Sequence, residues 1–164
     1  MKSPFCAALV AGLLTATAAS ADDVVRHKLP DSDFPIAQAV EVPPGKTTVY
    51  LSGVVPGVSN QGADKNTAAA YGDTKTQTES VLRSIEKTLQ GLNLKMGDVV
   101  KMQVFLVGDP ARAGRMDFSG FMEGYTRFFG TKAQPNLPSR SVMQVVALAN
   151  PGFLVEIEVV AVRP

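Results

Sequence analysis

Apolar and polar positions alternate with two different periods along this chain, and the switches between them outline its elements. Thr47–Val55 (TTVYLSGVV) is dense in β-branched and aromatic residues, which predicts a strand. In Val99–Val107 (VVKMQVFLV), Lys101 and Gln103 alternate with apolar neighbours, the signature of a half-buried strand. Two more strands, Ser141–Ala149 and Phe153–Arg163, are expected to close the chain, joined at Asn150-Pro151-Gly152. In the last of them Val155, Ile157, Val159 and Ala161 share one face. Glu156 and Glu158 lie on the other, flanked by Leu154 and Val160. Residues 22–47 are polar and broken by Pro30, Pro35, Pro43 and Pro44, so an irregular arm is expected there, with a short strand at Ala37–Val42 and a turn at Pro44-Gly45.

The helical period appears twice. After a Gly/Asn/Ala loop from Pro56 to Gly72, Asp73 or Thr74 can cap a helix, and Thr74-x-x-Gln77 and Thr76-x-x-Glu79 both fit a capping box. Val81, Leu82, Ile85, Leu89 and Leu92 fall in an apolar arc of roughly 100° at helical pitch. Gly91 offers a left-handed stop, with Leu92 placed to fold back on the last turn. A second helix is predicted over Asp117–Phe129, ended by Gly130. Its stripe of Phe118, Phe121, Met122, Tyr125 and Phe129 reads as core, and Gly120 and Gly124 weaken it unless something packs closely on them.

The resulting order is β, β, α, β, α, β, β. Two helices suffice to cover one face of one sheet, so the expected class is α+β with both helices on a single side. The uncovered face keeps apolar side chains and invites association.

Composition narrows the chemistry. Met1 and Lys2, the apolar run Phe5–Ala19 and Ala19-Ser20-Ala21 before Asp22 make the pattern of a secretory signal, which predicts a leader at 1–21, a single domain at 22–164 and a periplasmic or secreted protein. Loss of Lys2 with the leader would level 16 Lys+Arg and 15 Asp+Glu at 15 each. An even balance of this kind favours neither nucleic acid nor a membrane surface as partner. The sole cysteine, Cys6, would leave with the leader, and the sole histidine, His27, sits in a polar stretch. Zinc, haem and iron–sulfur sites and thiol catalysis therefore lack residues, and no cofactor is expected. Neither G-x-S-x-G, GxxxxGK[ST] nor G-x-G-x-x-G occurs.

Three features remain as candidate chemistry. Ser52-Gly53 ends an apolar strand where glycine lets a ligand approach the backbone. Arg140, in Leu137-Pro138-Ser139-Arg140-Ser141, precedes a hydrophobic strand and can clamp a carboxylate with two parallel hydrogen bonds. Glu156 and Glu158 are carboxylates on an otherwise apolar strand, where burial demands a partner or a function. Spacing leaves two roles open for Arg140: a substrate clamp, or an internal ion pair with Glu156 or Glu158.

These residues stand in a familiar order. Ser52-Gly53-x-x-Pro56 is followed by Gln77-Thr78 opening a helix, then by Gly97-Asp98-Val99-Val100-Lys101-x-x-Val104-Phe105 and Tyr125-x-x-Phe128-Phe129. Pro138-x-Arg140-Ser141 and Val155-Glu156-Ile157-Glu158 complete the set. The chain thus resembles the RidA/YjgF family of reactive-intermediate deaminases from about Pro35 to Arg163. The resemblance implies a chorismate-mutase-like α+β fold, assembled as a homotrimer with helices outside, sheets inside and three clefts between subunits. It implies hydrolysis of small 2-imino and 2-enamino acids to 2-keto acids and ammonia, as in 2-iminobutanoate/2-iminopropanoate deaminases, without metal or coenzyme. By position, Arg140 matches the family's carboxylate-holding arginine, and Ser52 and Gly53 match residues lining the cleft. Glu156 matches the carboxylate that positions water, and Val142 stands where a backbone carbonyl is the water's second ligand.

Departures from the family pattern are Ile36, where a tyrosine is usual, Met122 in place of a polar residue, and a longer stretch over Gly108–Gly120. The leading expectation is an exported trimeric imine deaminase. The alternative is a non-catalytic trimer that binds small carboxylate metabolites or acts as a holdase. An open cleft at Arg140, as against an acid that neutralises it, separates the two.

Overall fold

The computed structural model describes residues 23–164; the leader read at 1–21, Cys6 included, lies outside the described residues. Eight main elements follow one another: β1 (Val25–Lys28), β2 (Ala37–Glu41), β3 (Thr48–Val54), α1 (Thr74–Gly91), β4 (Val99–Val107), α2 (Phe118–Tyr125), β5 (Ser139–Val145) and β6 (Val155–Val162). The strands form one mixed sheet in the order β1-β2-β5-β4-β6-β3. Both helices cover one of its faces, which is the expected α+β arrangement.

β4 is the central organiser. Met102, Val104 and Leu106 are fully buried beneath the helices, while Lys101, Gln103, Phe105 and Val107 are half-buried on the opposite side. β5 runs parallel to β4, and β6 runs antiparallel on its other flank. The last two strands are thus joined in sequence at Asn150–Gly152 yet separated in space by β4. Gln77 of α1 holds that connection. Its side-chain amide donates to Gly72 O at 2.9 Å and Gly152 O at 3.0 Å, and its carbonyl accepts from Leu154 N–H at 2.8 Å. Buried polar groups must be paired in this way.

α1 starts where its sequence says. The Asp73 carboxylate accepts from Thr76 N–H at 2.8 Å, and the Thr76 hydroxyl first, then this amide, hold the Asp73 pKa below its ordinary value. Val81, Leu82, Ile85 and Leu89 are buried as expected. The end differs: Asn93, not Gly91, takes the positive φ (58°), and Leu94 rather than Leu92 folds back. Leu94 N–H reaches Leu89 O at 2.8 Å and Asn93 N–H reaches Gln90 O at 3.0 Å, the two bonds of a Schellman stop.

α2 begins on the Asp117 carboxylate, which accepts from Gly120 N–H at 3.0 Å. It ends at Tyr125, one turn short of the expected Phe129, although Phe129 N–H still reaches Tyr125 O at 3.1 Å. Gly124 has a reason to be there. A Cβ at this position would meet Thr78 Cβ at 2.9 Å and Lys75 O at 3.1 Å, so its absence lets α2 lie directly on α1.

Two further differences have physical causes. β1 was not expected, because Val25–Lys28 is polar and mostly exposed. It is specified by antiparallel pairing with β2 and by Arg26, whose guanidinium donates to Leu137 O, Gly97 O and Val99 O at 3.2, 2.9 and 3.1 Å. β5 stops at Val145 instead of Ala149, where its pairing with β4 ends. β2 pairs with β5 only through Ala37 and Ser139, so beyond Ser139 the outer edge of β5 has no strand partner among the described residues.

The sheet face away from the helices is bare. It carries Tyr50 (78% exposed) and Met143 (37%), with Phe105 and Val160 half-buried between Lys101, Gln103, Glu156 and Glu158. Among the described residues no helix is long and apolar enough to cross a membrane.

Candidate functional site

Arg140 lies on β5 opposite Met102, on the helix-covered side of the sheet. Its guanidinium is walled by rings: its carbon lies 4.2 Å from the centroid of Tyr125, 5.0 Å from Phe121 and 5.6 Å from Phe34. Nη2 donates to the Met122 sulfur at 3.2 Å, and Nη1 is buried with no hydrogen-bond partner. No carboxylate among the described residues pairs with it, so the ion-pair alternative with Glu156 or Glu158 does not hold. A buried donor left without an acceptor costs about 1–3 kcal/mol, and a cation so placed attracts an anion. Burial draws the guanidinium pKa below its ordinary value, opposed by Tyr125.

The Tyr125 hydroxyl donates to Pro35 O at 2.9 Å, which ties the chain at Phe34–Ile36 to α2. Burial pushes the phenol pKa up to about 12, although neighbouring Arg140 pulls the other way. Ile36, half-buried, follows directly after that anchor. Val142, two residues after Arg140 and opposite Val104, shares the helix side and packs on the core.

Ser52, Gly53 and Glu156 form a second group. β3 pairs with β6 through Leu51–Val159 and Val54–Ile157, with a register irregularity between them that takes in Ser52 and Gly53. Ser52 is exposed, and Gly53 sits against the Glu156 carboxylate so closely that a Cβ there would overlap Glu156 Oε1. Glu156 lies opposite Phe105 and Glu158 opposite Gln103.

Register separates the two groups within one protomer. Met102 and Phe105 are three residues apart on β4, so their side chains leave opposite faces of the sheet. Arg140 is level with Met102 and Glu156 with Phe105. Arg140 and Glu156 therefore face away from each other. A site using both needs two copies of the chain.

The sequence singled out Arg140 but not its surroundings. Phe121 and Tyr125, predicted as core, are core and also walls of the arginine, and Phe34, which no sequence pattern points to, is the third. The longer stretch over Gly108–Gly120 is held by β5 itself, since Gln144 accepts from Met116 N–H and donates to Gly114 O, both at 2.9 Å. Within it Arg112 pairs with Asp117 at 3.1 Å. Among the described residues no group of three or more His, Cys, Asp or Glu side chains converges to hold a metal ion.

Comparison with known proteins meets this geometry. A family model described as Endoribonuclease L-PSP matches residues 26–163. A 2-iminobutanoate/2-iminopropanoate deaminase of Salmonella typhimurium is 28% identical over 140 residues, 85% of this chain and 96% of that protein. TdcF of Escherichia coli K12, which bears the name "Putative reactive intermediate deaminase TdcF", is 29% identical over 137 residues, 84% of this chain and 93% of its own. The crystal structure of E. coli TdcF with bound serine superposes with a TM-score of 0.56 at 28% identity, covering 86% of this chain and 98% of that one. The chain belongs to the Endoribonuclease L-PSP family, the YjgF/RidA family whose motifs its sequence carries.

Proposed function

We propose that this protein hydrolyses 2-imino acids, and the enamines that tautomerise to them, to 2-keto acids and ammonia. One observation carries the reading: Arg140 holds a buried Nη1 without an acceptor, and its Nη2 rests on a thioether, which is a weak acceptor. A carboxylate supplies both missing oxygens at once. The deaminase names of its relatives favour the same chemistry.

The site on this proposal is assembled between copies. On this reading one protomer contributes Arg140 and the Val142 carbonyl from β5, and a neighbour contributes Ser52, Gly53 and Glu156 from its bare sheet face. The exposed Tyr50 and Met143, with the strand edge, favour burial against another copy, and a homotrimer with three such clefts is the assembly we infer. With the carboxylate fixed, the imine carbon is oriented toward a water held by Glu156 and the carbonyl. The water oxygen bonds to that carbon as one of its protons passes to the imine nitrogen, which gives a carbinolamine. The hydroxyl proton then passes to the amine, the C–N bond breaks and ammonia leaves as the C=O forms. No electrons change hands. The cationic start, the apolar run and Ala19-Ser20-Ala21 support a place of action outside the cytoplasm.

The test is direct. Imines are generated in situ by an amino-acid oxidase, the purified protein is added, and the surviving imine is trapped. Faster loss of imine is expected. Loss at the uncatalysed rate across several side chains would leave a carboxylate-binding protein in place of an enzyme.

A further inference from the structure

Beside Arg140 lies a pair of aromatic rings that the fold does not bury. Phe34 is 41% exposed and Phe118 36% exposed, and they stack with centroids 6.4 Å apart and planes 15° from parallel. Exposed aromatic pairs carry large apolar surface that favours removal from water. This one is built rather than loose. Phe34 precedes Pro35, whose carbonyl is held by Tyr125, and Ile36 N–H returns to Phe34 O at 2.8 Å. Phe118 opens α2 behind the Asp117 cap and packs on Phe121, centroids 6.1 Å apart. The shelf thus has fixed geometry relative to the guanidinium, with Phe34 at 5.6 Å.

We propose that this shelf selects the substrate side chain, so that the site takes 2-imino acids with bulky apolar, above all aromatic, side chains in preference to the small ones. The inference rests on Arg140 holding a carboxylate, as read above, and deepens that reading. A 2-imino acid has its side chain one carbon away from its carboxylate. Once the carboxylate is clamped, the side chain falls beside Arg140, where the walls are Tyr125, Phe121, Phe34 and Met122. The one hydrogen-bond donor among them, the Tyr125 hydroxyl, is already given to Pro35 O, and the thioether is a weak acceptor. A polar or charged side chain would lose its water there without replacement. A phenyl ring would stack on Phe34 and complete the exposed pair. A hydrophobic pocket distinguishes substrates differing by one methylene about 10- to 200-fold, and a half-open shelf acting on a whole ring is expected at the lower end.

The experiment compares kcat/KM for imines derived from phenylalanine and from alanine, generated in situ, on the parent protein and on Phe34→Ala and Phe118→Ala. A ratio near tenfold in favour of the phenyl substrate is expected, falling toward one in Phe34→Ala, chiefly through KM. In parallel, calorimetric titration with phenylpyruvate and pyruvate reads side-chain selection without turnover, and light scattering reads the assembly. Equal kcat/KM for the two imines overturns the inference while leaving imine hydrolysis intact. Equal loss for both imines in Phe34→Ala also overturns it, as does dissociation of the assembly in that variant, which would make the shelf a contact between copies. No hydrolysis of either imine, with phenylpyruvate bound more tightly than pyruvate in a Phe34-dependent way, sinks the deaminase reading and sustains the selection. Absence of both removes both.

Discussion

The Nη2 of Arg140 donates to the sulfur of Met122 at 3.2 Å, so a cation on a sheet strand rests against a flexible apolar side chain on a helix. A thioether yields easily to a better acceptor. Arg140→Lys keeps the charge but loses the planar fork. Removal of one charge-assisted contact, about 1.5–3 kcal/mol, lowers kcat/KM for imine hydrolysis roughly 10- to 150-fold. Arg140→Met should abolish the clamp and barely change stability. It removes a buried unpaired donor, a gain of about 1–3 kcal/mol, and cation–π contacts worth about 0.5–2 kcal/mol. Denaturant unfolding is expected to place the variant within about 1 kcal/mol of the parent. A loss above about 3 kcal/mol would make Arg140 a structural residue.

Tyr125 gives the fold a dependence on alkaline pH. Its phenol is pushed from 10.0 up to about 12, by burial first and against the pull of Arg140. A group whose folded pKa is raised keeps its full contribution below the unfolded value and loses it as pH climbs toward the folded one. Stability should therefore fall between about pH 10 and 12, by roughly 2 kcal/mol from this residue. Absorbance titration should show one of the three tyrosines ionising last. Tyr125→Phe should remove both that late step and the steepest part of the alkaline decline. An unchanged decline in that variant would assign it to other groups.

Elements specified by their own residues were legible in the sequence. β4 was read to the residue because its alternation is strict and Gly97-Asp98 and Gly108 bracket it. The stop of α1 was misread by two positions because Gly91 and Asn93 both tolerate a left-handed turn. What decides is tertiary: Leu94 has a core to enter, at 2% exposure, and Leu92 is left at 38%. β1 escaped notice for a related reason, since its partners specify it more than its own apolar pattern does. In the site, Arg140, Ser52, Gly53 and Glu156 could be named from strand boundaries and motif order. Their division between two faces could not be read from motif order. It follows from β4 lying between β5 and β6, with Met102 and Phe105 setting the levels.

Gly53 is expected to guard the Glu156 carboxylate. A methyl group at position 53 would overlap Glu156 Oε1, and the acid's end can swing away because it is the tip of a flexible side chain. Gly53→Ala should therefore leave the melting temperature within a few degrees, corresponding to about 1 kcal/mol, while lowering kcat sharply. Binding of a 2-keto acid, which depends on Arg140, should survive. Wild-type kcat in Gly53→Ala would show that the carboxylate's present position is not needed for turnover.

The proposed division of the site between copies allows a complementation test. Arg140→Ala and Glu156→Gln each remove one half, and each pure variant should be nearly inactive. If the variants are unfolded together at equal amounts and refolded, copies reassort at random. In a closed ring each cleft joins the Arg140 half of one copy to the Glu156 half of the next. A working cleft needs a Glu156→Gln copy on the arginine side and an Arg140→Ala copy on the acid side. Chance supplies that arrangement in about one cleft of four. Activity should return to roughly a quarter of the parent value after co-refolding, and not after simple mixing if assemblies exchange slowly. A site contained in one protomer predicts no recovery under either condition, because every copy then carries a defect. Recovery near a quarter would assign Arg140 and Glu156 to different subunits of one cleft, and none would return both residues to a single chain.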